Sequence, residues 1–242
     1  MTEEENQKLK TIKDEDTKIT SGAEVIDWLL EGGFEKEVIT TIYGPAGSGK
    51  TNISLICAAS FKDKKVIYVD TEGSFSLSRL RQISDDYKKV LDNVILLKPT
   101  TFAEQKKAFE ELKGLVHKNT GIIIVDSIAM LYRLEIGQSK KIYEVNRQLG
   151  MQLSYLTEIA RKNKIPVLIT NQVYADFEDK NKVNIVGGDL LKYQSKCLIE
   201  IQKNNDGSRK AIIRKHRSIE ENKEVNFKIN DLGLTEVKQK SE

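Results

Sequence analysis

Two hydrophobic periods alternate along the chain. Short runs that are almost wholly apolar or β-branched recur at residues 38–43, 65–70, 93–98, 121–126 and 165–170. Between them lie stretches with apolar residues three and four apart, the spacing of one helix face. The clearest is the stripe of Val145, Leu149, Leu153, Leu156 and Ala160. This alternation predicts an α/β fold with a mostly parallel central sheet flanked by helices. A run as apolar as Ile122, Ile123, Ile124 and Val125 fits a strand buried on both faces.

The polar residues punctuate these elements. Ser21-x-x-Glu24 reads as a capping box opening a helix with Val25, Ile26, Leu29 and Leu30 inward, and Gly32-Gly33 closes it. Helices are expected at 52–62 and 77–90, and after a second capping box, Thr101-x-x-Glu104, with Phe109, Leu112 and Val116 inward. Residues 133–141 and 174–189 read as polar segments, the second with Gly187-Gly188 inside it and plausible as a mobile loop. Beyond them the pattern turns to strands at 196–202, 210–214 and 224–229, with Asp206-Gly207 as a hairpin signal. These predict antiparallel C-terminal strands on one edge of the parallel sheet. Residues 1–17 are charged and aperiodic, the mark of a flexible tail, which leaves 18–242 as one core domain.

Composition narrows the classes of function. A chain of 242 residues suffices for one α/β domain with a full core. Its net charge of +3 is slight, so any affinity for nucleic acid must come from local patches. Cys57 and Cys197 sit in apolar stretches, as buried free thiols of a reducing, cytoplasmic protein would. Two cysteines and two histidines, scattered, make no zinc site. No apolar run nears the roughly 18 residues of a membrane span, so no membrane association is expected.

The chemistry starts at Gly44-Pro45-Ala46-Gly47-Ser48-Gly49-Lys50-Thr51, which fits G-x-x-x-x-G-K-[ST] between a predicted strand and a predicted helix opening at Asn52. Its glycines admit conformations that a Cβ forbids, so successive N–H groups can face phosphate oxygens. The helix that follows adds its free N–H groups and positive dipole end. Lys50 would reach the β- and γ-phosphates of ATP, and the Thr51 hydroxyl would ligate Mg²⁺. Asp126, closing its apolar strand, fits the second nucleotide motif and would hold Mg²⁺ through water. The lesser alternative is a helix or turn cap. Ser127 offers a water or phosphate contact, or a local cap.

Taken in order, the Gly-Gly-terminated helix, GPAGSGKT, YVDTEG, SRL, IIIVDSI and ITNQV resemble the RecA-type recombinase ATPase core, from about residue 18 to residue 237. The resemblance implies a RecA-like P-loop NTPase fold with ATP and Mg²⁺ as cofactors. It places Glu72 where the family activates water, a role its position at a sheet edge suits. Arg79 falls where the family stacks an arginine on adenine, and Gln172 where a glutamine senses the γ-phosphate and reports it to an adjoining DNA loop. Residues 133–141, with Arg133, Lys140 and Lys141, and 174–189, with Tyr174, Phe177, Lys180 and Lys182, correspond to the DNA loops. Cations interleaved with aromatics suit single strands, although Asp176, Glu178 and Asp179 dilute the charge and plain solvated loops are the alternative. In the cluster Arg214, Lys215, His216 and Arg217, strand alternation should turn Lys215 and Arg217 the same way. They would grip DNA, reach a neighbouring subunit's phosphate, or simply protect an edge strand.

The resemblance is strongest to a short accessory paralogue of the archaeal RadA-type recombinase. The chain has no room for an N-terminal helix-hairpin-helix DNA module, and its tail holds no Phe-x-x-Ala tether. The expected function is an ATP-switched, DNA-binding accessory protein of homologous recombination and DNA repair. Weak ATP hydrolysis, no strand exchange of its own, and at most weak homo-oligomerisation go with it. Its partners would be single-stranded or branched DNA and a RadA-type recombinase. The alternatives are a filament-forming strand-exchange recombinase and a signalling ATPase or kinase of the KaiC kind.

Overall fold

The computed structural model describes residues 17–175 and 183–237. The predicted tail therefore lies outside the described residues, apart from Thr17. A two-residue hairpin, β1 (Lys18–Ile19) with β2 (Phe34–Glu35), brackets helix α1 (Glu24–Leu29). The main sheet holds β3 (Ile39–Gly44), β4 (Lys65–Asp70), β5 (Val94–Leu97), β6 (Thr120–Asp126), β7 (Val167–Ala175), β9 (Cys197–Lys203), β10 (Arg209–Lys215), β11 (Glu224–Asn230) and β12 (Gly233–Glu236). Its order is β12-β11-β10-β9-β3-β7-β6-β4-β5, with β8 (Val183–Ile185) pairing on β7. The strands from β9 across to β5 are parallel, and β10, β11 and β12 extend that sheet antiparallel. This is the α/β architecture the hydrophobic pattern predicts.

Helices cover both faces of the sheet. On one face α1 and α2 (Lys50–Ser60) pack Leu29, Ile53 and Cys57 over Ile42, Tyr68, Ile124 and Ile199. On the other, α5 (Phe102–Leu115) and α7 (Ile142–Asn163) pack Phe109, Leu149, Leu153 and Leu156 over Ile67, Val69, Ile123 and Ile169. Strand alternation divides the two cores: Val66 and Tyr68 go one way, Ile67 and Val69 the other. Both cysteines are free and buried, and burial pushes the Cys197 thiol up to about 12. Among the described residues no helix is long and apolar enough to cross a membrane.

Several local expectations are corrected. The first capping box does not form, and Ala23 is the N-cap of α1. Gly22, at φ +80°, turns the chain against α2, where a Cβ would meet the Ile56 carbonyl oxygen at 2.9 Å. Asp27, rather than Glu24, reaches back and accepts from the Ser21 N–H at 2.7 Å. At the second box Thr101 does accept from the Glu104 N–H, at 3.1 Å. The helix expected over 77–90 is two, α3 (Leu77–Ile83) and α4 (Tyr87–Asn93), because Ser84 is extended at φ −149°. The segment containing Arg133 is largely helical, as α6 (Met130–Gln138), because Leu131 and Tyr132 find burial against the core. Past β8 the second polar segment closes with a helix, α8 (Gly188–Gln194), seated by buried Leu191.

Candidate functional site

Register assembles the site. In the parallel sheet Gly44 lies opposite Gln172, and Asp70 opposite Asp126. The ends of β3, β4, β6 and β7 are thus brought to one carboxyl edge, where ligands of open α/β sheets gather. The phosphate loop starts there and runs into α2, whose N-cap is Gly49 at φ 105°. Gly44 and Gly49 are required sterically. A Cβ on Gly44 would lie 2.3 Å from the Ile201 carbonyl oxygen, and Gly49 holds a positive φ that strains any other residue.

Lys50 is only 8% exposed. Its Nζ donates to the Gly44 and Pro45 carbonyls at 2.9 and 3.0 Å, which folds the side chain back along the loop. Burial lowers its pKa, Glu72 and Asp126 oppose that, and Lys203 adds to it. The residues fit a bound polyphosphate. A cation is held inside a glycine-rich turn, and the buried Ser48 Oγ has no hydrogen-bond partner among the described residues.

Asp126 is 1% exposed, and its carboxylate accepts from Tyr68 OH at 2.9 Å, Ser74 Oγ at 3.1 Å and Thr170 Oγ1. Burial raises its pKa, while hydrogen bonding from Thr170, Thr51 and Tyr68 works in the other direction. Asp126 and Thr51, the pair expected to hold Mg²⁺, are therefore neighbours. Among the described residues no group of three or more His, Cys, Asp or Glu side chains could hold a metal by itself. Magnesium here would draw its other ligands from phosphate and water, as it does in nucleotide sites.

Glu72 is presented by a turn that Asp70 builds, its carboxylate accepting from the Ser74 and Phe75 N–H groups, both at 3.0 Å. The turn is stapled to β6: the Thr71 hydroxyl donates to the Ser127 carbonyl at 2.6 Å and accepts from its N–H at 3.0 Å. The Asp126–Ser127 peptide is cis. Glu72 Oε1 accepts from Ser127 Oγ at 2.6 Å and from Gln172 Nε2 at 2.9 Å. Residues from the ends of β4 and β6 and from β7 are joined at one oxygen.

Arg79, at the start of α3, donates to Asn52 Oδ1 at 2.7 Å and to the Asn230 and Asp231 carbonyls at 2.8 and 3.2 Å. The arginine carried over for the nucleotide base thus meets Asn52 on α2, and it pins the β11–β12 turn beside that helix.

The expected nucleic-acid residues divide into two groups. Arg133, Lys140 and Lys141 are exposed around the end of α6 and the start of α7, and Tyr174 on β7 is 43% exposed. Phe177, Lys180 and Lys182 lie outside the described residues, as do Asp176, Glu178 and Asp179. The cluster at the end of β10 is built differently. Arg214 Nε donates to Glu200 Oε2 at 2.7 Å, and Glu200 raises the phenol of Tyr43, already raised by burial, so that it reaches about 12. Lys215 Nζ donates to the Lys192 and Ser195 carbonyls at 2.6 and 2.9 Å, at the C-terminal end of α8. Arg217 Nε pairs with Glu35 Oε2 at 3.0 Å. A register shift between Ile213 and Lys215 disturbs the ladder just before β10 ends. Lys215 and Arg217 do not turn the same way: one meets α8 and the other the N-terminal hairpin.

One residue at the rim carried no local signal in the sequence. Lys203 closes β9, and only the pairing of β9 with β3 brings it to the phosphate loop.

A phosphate loop after β3, a glutamine on the adjoining β7 and carboxylates at the ends of β6 and β4 beyond it define a RecA-type NTPase core, with capability for ATP and Mg²⁺ in general. The family model described as Rad51 matches residues 12–237. The DNA repair and recombination protein RadB of Methanobrevibacter smithii is 41% identical over 218 residues, covering 86% of this chain and 92% of the relative. RadB of Methanococcoides burtonii is 41% identical over 229 residues, covering 93% and 100%. A solved structure titled "Crystal structure of the RadB recombinase" superposes with a TM-score of 0.78 at 36% identity, covering 90% of this chain and 99% of that one. The chain belongs to the Rad51 family and, within it, to the RadB group.

Proposed function

We propose that this chain is an ATP-binding accessory protein of homologous recombination and DNA repair, in which the nucleotide acts chiefly as a switch. The observation that carries this is the shared oxygen of Glu72. Gln172 and Ser127 both donate to Glu72 Oε1, so the residue expected to activate water is tied to the strand leading to the expected DNA segment. An acceptor that already holds two donors is a poor base, which supports weak hydrolysis. A γ-phosphate competing for the Gln172 amide would release Glu72 and pull on β7 together.

In this reading residues 44–52 bind the triphosphate, with Lys50 neutralising it and Thr51 and Asp126 holding Mg²⁺. The metal's contribution when bound is to offset charge on the phosphate oxygens. Arg79 and Asn52 border the base. Arg133, Lys140, Lys141 and Tyr174 meet single-stranded or branched DNA, joined by Lys180 and Lys182. The names of the RadB relatives, DNA repair and recombination proteins, support that role. The partner protein is a RadA-type recombinase, and residues 18–242 act as one core domain.

The test is a titration of single-stranded DNA over a range of salt, with and without ATP and Mg²⁺, alongside a pull-down of the host recombinase. Nucleotide-dependent affinity that falls with salt is expected. ATP without effect on either partner would overturn the switch.

A further inference from the structure

We propose that Lys203 is a second phosphate-binding cation of the nucleotide site, delivered by β9 to the phosphate loop of its own chain. This deepens the nucleotide reading above and rests on it.

Topology puts the residue there. β9 runs parallel beside β3 with Glu200 opposite Tyr43, so its last residues pass the sheet edge alongside the loop. The Ile201 carbonyl already touches the space a Cβ on Gly44 would need. Two residues later Lys203 Nζ stands 3.1 Å from where a Cβ on Gly47 would lie. Gly47 is held to glycine by its φ of +68°, and the ammonium stands beside that bare backbone.

Charge bookkeeping points the same way. The cations of the β10 cluster have partners, Arg214 on Glu200, Arg217 on Glu35 and Lys215 on two carbonyls. Among the described residues no carboxylate pairs with Lys203, which is exposed. Glu72 and Asp126 act favourably on Lys50, whereas Lys203 acts against it. Two ammonium groups therefore flank one glycine-rich loop, with no carboxylate assigned to the outer one among the described residues. A polyphosphate is the ligand class that resolves this, because each oxygen can accept a charge-assisted bond. The long, flexible side chain can swing from the rim onto such a ligand at little steric cost.

The test uses the full chain and calorimetric titration with Mg²⁺ and ATP, comparing wild type with K203Q and K203R. The expected result is about a tenfold loss of affinity in K203Q, recovery of most of it in K203R, and a K203Q deficit that shrinks at high ionic strength. K203Q binding as tightly as wild type at low salt would overturn the assignment alone. So would K203R being as weak as K203Q, since shape rather than charge would then matter. A wild-type chain that binds no ATP would overturn the nucleotide reading itself.

Discussion

The sheet's carboxyl edge and the far end of β10 are both rich in charged residues, yet they are built on opposite plans. At the edge, Lys50, Glu72, Asp126 and Gln172 come from separate elements and converge, with bonds that a ligand could exchange. At the end of β10, Arg214, Lys215 and Arg217 come from one short stretch and diverge. Each engages a fixed partner: Glu200, the last carbonyls of α8, and Glu35. A cluster of cations in sequence is therefore no measure of a binding surface. What decides is whether the fold has already assigned the charges.

Four measurements press on this contrast. The largest effect is expected from K50A, which should cost roughly a hundredfold or more in ATP affinity, read by equilibrium dialysis. Undiminished binding would show that the convergent edge is not the site. Next, R214A should lower stability by about 1–3 kcal/mol in urea unfolding, because Glu200 is left largely buried without its partner. Binding of DNA should change little. If DNA affinity fell while stability held, the β10 cluster would be a surface after all.

D126N probes the edge from the side of stability. Burial raises the Asp126 carboxyl above its unfolded value near 3.9, so the group favours the fold below that pH. That contribution is lost as pH rises through the folded pKa, and at neutral pH the ionised carboxylate is a net cost. D126N should therefore be more stable than wild type at pH 7, by about 1 kcal/mol, with no gain at pH 3. Weaker stability at pH 7 would mean that the hydroxyls of Tyr68, Ser74 and Thr170 outweigh the burial.

The smallest effect concerns His216. Its Nδ1 accepts from the Ser218 and Ile219 N–H groups at 3.2 and 3.1 Å, and burial lowers its pKa. A base with a depressed folded pKa loses stability as pH falls through its unfolded value of about 6.5. Melting curves should show a small loss of stability between pH 7 and pH 5.5, a loss that H216A removes. An identical pH slope in H216A would assign the effect elsewhere.

Much of this was legible in the chain because the decisive features are local. The phosphate loop is a contiguous motif, β4 is marked end to end by its apolar run, and Asp126 closes a strand that could only be buried. Helix α8 was hidden because its polar residues mask a single buried anchor, Leu191. Ser21 looked like a cap because spacing alone cannot show that Gly22 turns the chain away. The direction of Lys215 and Arg217 was lost because β10 ends at Lys215, so strand alternation does not carry on to Arg217. Lys203 was invisible for a deeper reason: its place at the loop depends on which strands are neighbours, and strand order is nowhere written in a local pattern.

Strand β7 carries Gln172 and, two positions on, Tyr174. Alternation gives both the same side of the strand, about 7 Å apart. A pull on the amide would have only this one stretch of strand to travel to the aromatic ring. In the proposed reading, news of the nucleotide would cross this molecule over less than the width of a helix, so a switch of this design would need no domain motion.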